Sequence, residues 1–529
     1  MDQPARPTAY VNGRIYTVDA ARLWAEAILV EDGRIAGVGL SADILAAAGD
    51  GCAIVDLGGR MVMPGIHDAH GHILLAGLKH RYECRLPADA LGRDYGERLC
   101  DCIACSRGKL SGWVIGGDFN PTLSEAGEVD RKYLDEKFPD TPVYLHDYSL
   151  HHGLANSKAL ELAGITADTP DPFGGRIVRR AGSNEPTGEL VERATWKLFN
   201  VLPSPEPDVH RGALRWALET ASRFGVTGIQ EASASRPELE MLQEIDREEG
   251  LALRVYAHIP WREEHFGHAT TEALDRLIEE RKRFASERVK TDFVKVFMDG
   301  SPLGPHFTDA QIDPATGQPQ PGKLLHTREE MAAALAAWDK AGITAKIHCT
   351  GDAAVQLVLQ AMRDMRAASD GGTIQEISHC CFVQPDDLAS FAELDVTAEM
   401  SPPIWFGDMP ELAAFRDRGY PFGTLARMGT RVTVGTDWTF LPEPNLFPAL
   451  QGLIQHGAES VDLATGIEML TLAGARAVGA DTLTGSIEVG KSADFILLDR
   501  NLFDGPVDEI GEARVLATVF EGRIVHDVR

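Results

Sequence analysis

Apolar and polar positions alternate with period two at both ends of the chain. Ala9-Tyr10-Val11 runs through a turn at Asn12-Gly13 into Arg14-Ile15-Tyr16-Thr17-Val18, and residues 27–38 repeat the hairpin pattern around Glu31-Asp32-Gly33. Residues 53–57 add a strand, and 493–498 and 515–525 have the same character at the far end. Strands at both termini, with everything else between them, predict one β-sandwich assembled from residues 1–61 and 481–529. Between these ends, short apolar runs alternate with helical periodicity. Strands are expected at 226–229, 253–257, 293–297, 344–347, 376–377 and 431–434, with helices such as 328–341 and 353–368 among them. Repeating βα units of this kind predict an α/β fold, a (β/α)₈ TIM barrel. Its first strand and a histidine motif fall in 62–81, and its remainder in 208–480. Residues 82–207 break the rhythm with turns such as Pro170-Asp171-Pro172-Phe173-Gly174-Gly175 between short helices. This stretch reads as a long insertion after barrel strand 1, a lid or substrate wall.

The 529 residues are enough for two or three structural units. A formal net charge of −28 argues against nucleic acid and anionic membranes as partners. No apolar run approaches the ~20 residues of a membrane span. The opening MDQPARPTAY lacks a basic and then apolar leader, so a cytoplasmic location is expected. The expected partner is a small-molecule substrate, and a homodimer is left open. Eight cysteines do not suggest a disulfide framework. Cys100, Cys102 and Cys105 form a tight cluster that reads as reduced thiols on a helix. Adjacent Cys380 and Cys381 read as small core residues.

The candidate chemistry begins at Pro64-Gly65-Ile66-His67-Asp68-Ala69-His70-Gly71-His72. Residues two apart on a strand share a side, so His70 and His72 can aim both imidazoles at one ion. Further ligand-type residues stand at the C-terminal ends of later expected strands, where barrel active sites sit: Lys295, His348, His379 and Asp437. A catalytic zinc takes three protein ligands or more, and the joint pattern supplies them. His67 reads as structural, Asp68 as a support for the His-x-His strand, and Asp352 as a cap or loop anchor.

This order of residues resembles the amidohydrolase superfamily, and within it amidohydrolase family three, the branch that includes N-substituted formamide deformylases. The resemblance runs from Asn12–Thr17 and Gly65–His72 through Trp113–Gly117, His151 with Asn156–Leu160, and Pro186–Leu190. It continues with His348, Gly351-Asp352 and Gly435–Trp438, and closes with Gly485–Asp494. It implies one or two divalent metal ions, zinc being expected. His70 and His72 would bind the more buried ion, His348 and His379 the other, with Asp437 beside the buried one. Lys295 matches a family lysine that carbon dioxide can convert to a metal-bridging carbamate; the alternative keeps it as an ammonium paired with Asp299. The implied reaction is hydrolysis of a non-peptide C–N bond, such as that of an N-substituted formamide or N-acyl amine, with Asp437 as proton shuttle. Cyclic amides, lactones or esters are the alternative substrates, and a non-catalytic metal-binding barrel is the alternative from another class. His151 is the candidate to hydrogen-bond the substrate carbonyl or oxyanion, with His152 beside it equally placed and Tyr144 a weaker version. Phe119, Trp405 and Trp438 suggest an aromatic pocket. The sequence departs from the family pattern at Asp118-Phe119-Asn120, at Met400–Trp405, which lacks a glutamine, and at Pro302, all where pocket shape is expected to be set.

Overall fold

Eight parallel strands form the central sheet of the computed structural model: β1 (Ile66–Gly71), β2 (Val226–Glu231), β3 (Arg254–Pro260), β4 (Val289–Phe297), β5 (Thr344–Cys349), β6 (Gln375–His379), β7 (Val396–Met400) and β8 (Val432–Val434). The structure describes residues 6–87, 89–124, 126–302, 307–320, 322–368, 372–406, 418–439 and 441–529. The strands lie side by side in chain order. A parallel bridge between Gly71 and Trp438, with the Asp437 amide donating to the His70 carbonyl at 2.7 Å, closes β8 against β1. The result is a TIM barrel. Outward-facing Val294, Val296, Ala345 and Ile347 pack under the surrounding helices in one large apolar core. The alternate positions carry polar groups into the barrel interior. There Lys346, fully buried, donates to Glu376 at 3.1 Å and to the Ala69 carbonyl at 2.7 Å. A buried ammonium needs such partners to offset its lost hydration.

Two sheets stand beside the barrel. One pairs Arg34–Gly39, Ala27–Glu31, Thr8–Val11 and Ala53–Asp56; the other runs Arg523–Asp527, Val515–Phe520, Phe495–Leu498, Met61–Pro64, Arg14–Tyr16 and Trp24–Ala25. Tyr10, Ile28, Val62, Phe495 and Val519 share the core between them, a sandwich built from both chain ends. Val62 and Met63, expected in the barrel segment 62–81, belong to this sandwich with Met61: Val62 pairs with Leu497 and Met63 with Ile496. The chain crosses into the barrel at Gly65, where a Cβ would lie 2.2–2.8 Å from Thr227 side-chain atoms. Arg254 of β3 fastens the two units through Asp494, Ser492 at 2.8 Å and Glu521 at 2.9 Å.

The insertion differs from its sequence reading. Short helices between turns were expected, whereas the segment is organised on a sheet of seven short strands, among them Trp113–Phe119, Val143–Asp147, His152–Ala155 and Pro186–Glu192. Alternate residues feed a core on each face: Val114, Phe119, Val143 and Leu145 on one, Trp113, Ile115, Tyr144 and Ala155 on the other. Strands buried on both sides lose the polar alternation that would announce them. The cysteine reading is corrected in part. Cys102, on the helix Gly92–Ala104, is joined to Cys84 in a disulfide, while Cys100 and Cys105 are free and exposed. Cys380 and Cys381 are buried free thiols in the main core.

Candidate active site

The C-terminal ends of the barrel strands bring together residues spread over 368 positions. His70 and His72 follow from β1, Lys295 from β4, His348 from β5, His379 from β6, and Asp437 lies just past β8. His70, His72 and Asp437 each offer a ligand atom, and these atoms lie within 4.8 Å of one another. Asp437 Oδ1 is 3.3 Å from His72 Nε2 and 3.9 Å from His70 Nε2. The Lys295 Nζ is 3.1 Å from His70 Nε2. The His379 ring stands 4.9 Å from that of His70 and 4.3 Å from that of His348, centroid to centroid. His379 and Asp437 have φ of 72° and 47°, a left-handed conformation costly for residues with a Cβ and frequent at functional sites.

Each imidazole is held by one nitrogen, which leaves the other for a ligand. His70 Nδ1 bonds Glu399 at 2.7 Å, His72 Nδ1 bonds the Ser233 hydroxyl at 2.8 Å, and His379 Nδ1 donates to the Ser401 carbonyl at 2.7 Å. His348 uses Nε2 instead, toward the Gly300 carbonyl at 3.3 Å, leaving Nδ1. This is the outer-partner arrangement that fixes the tautomer of metal-binding histidines. Asp68 accepts from the amides of His70 and Thr436 and from the Thr436 hydroxyl, tying β1 to the end of β8. Asp299 does not pair with Lys295. It accepts from the amides of Ala310, Thr350 and Gly351 and shapes the loops after β4 and β5. Asp352 likewise receives the Ile312 amide. His67 packs against the Tyr256 ring, away from the cluster.

Charge at the centre follows from burial and neighbours. Burial, with Lys295 and other cations nearby, holds His70 and His379 well below the ordinary imidazole value; burial with His379 does the same for His348. Neutral imidazole is the form that binds metal. Burial and the Lys346 ammonium bring Lys295 down to about 7, so a share of it is free amine at neutral pH. Burial pushes Asp437 up, but its hydrogen bond to His72 and the nearby Lys295 outweigh that, leaving it ionised below the usual carboxylate value. The donor set, five nitrogens and a carboxylate around one buried space, fits a divalent ion of the zinc type.

A cavity of about 40 Å³ opens onto this cluster, lined by His348, His379 and Asp437 together with His151, Ser149, Ser301, Ile404 and Tyr420. The insertion thus contributes Ser149 and His151, the His151 ring lying 5.6 Å from that of His348. Burial opposes its charge, yet Glu192 at 2.8 Å raises it to about 9. His152 points elsewhere and bonds Glu189 at 3.1 Å. The remaining expected substrate residues do not line the cavity. Phe119 and Tyr144 fill the two insertion cores, and Asn120 caps the turn 121–123 through the Thr122 amide. Trp405 packs on Tyr420 and Phe422, and Trp438 packs in a three-ring cluster with His80 and Trp216. Large aromatics bury most area inside a core, which is where these went. Sequence reasoning did not single out Glu399, Ser233, Glu192 or Tyr420. A glutamate inside the apolar run of β7 was the one available signal.

Comparison with known proteins agrees with this geometry. The model of the amidohydrolase family matches residues 53–526. An N-substituted formamide deformylase of Arthrobacter pascens is 28% identical over 545 residues, covering 98% of each chain. "Protein LONG AFTER FAR-RED 3" of Arabidopsis thaliana is 27% identical, over 97% of this chain and 90% of that one. A solved metal-dependent hydrolase from Pyrococcus horikoshii OT3, uncharacterised, shares the fold with a TM-score of 0.73 at 22% identity, covering 95% of this chain and 99% of its own. The chain belongs to the amidohydrolase family and is built on its TIM barrel.

Proposed function

We propose that the protein hydrolyses the C–N bond of an N-substituted formamide or another N-acyl amine, releasing a carboxylate and an amine. The observation that carries this reading is the convergence of His70, His72, Lys295, His348, His379 and Asp437 on one buried space at the barrel mouth. The same reading draws on the likeness to a formamide deformylase over nearly the whole chain. His70 and His72 with Asp437 would hold one divalent ion, expected to be zinc, and His348 with His379 a second. Such an ion supplies Lewis acidity and acidifies water from a pKa of 15.7 toward roughly 7.

The chain's own residues do the rest. Asp437, ionised and facing the cavity, takes a proton from the attacking water. As the acyl carbon becomes tetrahedral, that proton passes to the nitrogen, and the C–N bond breaks with the electron pair leaving on the amine. His151 donates from Nε2 to the carbonyl oxygen while charge builds there. Lys295, deprotonated in part, could add carbon dioxide at Nζ with loss of a proton, and the carbamate so formed would supply oxygen ligands beside His70. Ile404 and Tyr420 form the walls against which the acyl side is held.

The test is formate and amine release from a panel of N-substituted formamides, N-acyl amines and lactones, with metal content measured in the same preparation. Amine release that scales with bound metal is expected. Less than one tightly held divalent ion per chain, or turnover confined to lactones, sinks the reading.

A further inference from the structure

The insertion meets the barrel mouth at Glu192, the last residue of the strand Pro186–Glu192. Its backbone has φ 51° and ψ −129°, a region that a residue with a Cβ rarely occupies and that surrounding contacts must enforce. Both carboxylate oxygens are engaged. Oε2 receives the Nδ1–H of His151 at 2.8 Å. Oε1 receives the Ser301 amide at 2.8 Å and the Thr308 hydroxyl at 2.6 Å. The main chains are joined as well, the Glu192 amide donating to the His151 carbonyl at 2.8 Å. Gly300 allows this approach, since a Cβ there would lie 2.2 Å from Glu192 Oε1. His151 and Ser301 line the cavity over the cluster, whereas Glu192 lines a second cavity of about 190 Å³ beside Phe266 and Phe297. The pair therefore forms a partition between the two.

We propose that Glu192 is a positioning residue: it fixes the His151 ring with Nδ1 bound and Nε2 presented to the substrate, and it registers that ring against the loop after β4. What Nε2 then does rests on the amide-hydrolysis reading above. Glu192 lines neither the cluster nor the cavity over it, so it acts through what it holds, the His151 ring at Oε2 and Ser301 with Thr308 at Oε1, and a glutamine there would disturb only the first. Ser149 bonds the His151 amide, but no other side chain among the described residues is bonded to the His151 ring. A half-buried carboxylate on a strained residue, held by three donors from two structural units, sets one ring orientation.

Glu192→Gln is a discriminating change. Two donors, the Ser301 amide and the Thr308 hydroxyl, demand an acceptor at Oε1, so the glutamine oxygen stays there. Its NH₂ then faces Nδ1–H, a donor against a donor, and the ring must release its proton or rotate. Selective ¹⁵N-histidine labelling of the full-length protein, with its metal as purified, reads this directly as one downfield Nδ1–H resonance that His151→Gln deletes. The expected result is that Glu192→Gln abolishes the resonance while metal content and melting temperature hold. With formanilide as probe, Glu192→Gln should lower kcat roughly ten- to hundredfold, as loss of an outer partner does, with KM little changed and no further loss in a His151→Gln background. Gly300→Ala, which crowds Oε1 without touching His151, should shift the same resonance; it serves if Glu192→Gln fails to fold. A resonance that survives Glu192→Gln, or an equal cost with and without His151, overturns the proposal even if the amide is hydrolysed. A Glu192-dependent resonance in a protein inert toward every amide supports the positioning role and defeats the amide reading instead.

Discussion

Histidines reach the candidate site from two regions, and the regions treat them in opposite ways. On the barrel strands, burial and neighbouring cations hold His70, His348 and His379 well below the ordinary imidazole value. On the insertion, His152 is as deeply buried and His151 slightly less so, yet Glu189 and Glu192 raise both. Burial is common to the two groups, so what separates them is the charge that prevails around each ring, cationic Lys295 beside His70 and His379 and anionic Glu192 and Glu189 beside the insertion pair. The barrel thereby offers lone pairs to a cation, and the insertion offers protons to an anion. His72 sits on the boundary: it belongs to the barrel, but the carboxylates of Asp437 at 3.3 Å and Glu231 at 3.8 Å raise it against its burial. A dication held there would displace that proton, and Asp437 would then be the carboxylate left to carry protons during turnover.

The largest expected effects fall on the barrel side. Asp437→Asn should lower kcat roughly a thousandfold, within the range that general acid–base residues supply, while bound metal, measured by elemental analysis, stays near the wild-type ratio. An unchanged kcat would take the proton-shuttle role from Asp437. Lys295→Ala should reduce metal content and activity together, and millimolar formate or acetate should restore part of both by supplying the missing oxygens. Normal metal content with normal rates would leave the lysine as an interior amine and nothing more.

How much of this contrast could be read beforehand depends on where each residue sits. The barrel ligands are legible because a strand ends in an apolar run and its last polar residue must face the mouth; His70, His72, Lys295, His348, His379 and Asp437 all sit that way. Their outer partners are not legible. Glu399 lies inside Val396-Thr397-Ala398-Glu399-Met400, and only the closure of β7 beside β6 and β8 aims it toward His70. The insertion is harder still. Its strands are short and buried on both faces, so their residues carry no period-two signature, and Phe119 and Tyr144 look like pocket aromatics until the sheet sends them into opposite cores. The Cys84–Cys102 disulfide escaped for a similar reason, since one partner lies outside the conspicuous CDCIAC cluster. The adjacent pair His151 and His152 could not be separated by sequence at all, because their difference is which way each points from a strand edge.

That pair gives the next effect in size. His151→Gln should cost roughly a hundredfold or more in kcat, as removal of an oxyanion donor does, with folding intact. His152→Gln should leave kcat near wild type and lower the melting temperature, because His152 is bound to Glu189 inside the insertion sheet. Reversed outcomes would assign the catalytic contact to His152 and unmake the partition at Glu192.

The smallest effect tests the insertion's charge state through stability. His152 is raised above its ordinary value of 6.5; burial opposes this, and the hydrogen bond to Glu189 with the Asp147 charge prevails. A group whose value is higher folded than unfolded binds its proton more tightly when folded. Its contribution is therefore complete below pH 6.5 and fades as pH climbs through the folded value. Hydrogen exchange of the strands 152–155 and 186–192, followed from pH 6 upward and corrected for intrinsic rates, should show protection falling at alkaline pH in the wild type. In His152→Gln the protection should begin lower and fall less steeply across that window, the remaining slope belonging to His151. The barrel strands β5 and β6, whose His348 and His379 are neutral throughout the same window, should show no such slope in either protein, and a shared slope would mean that the two regions are not electrostatically distinct.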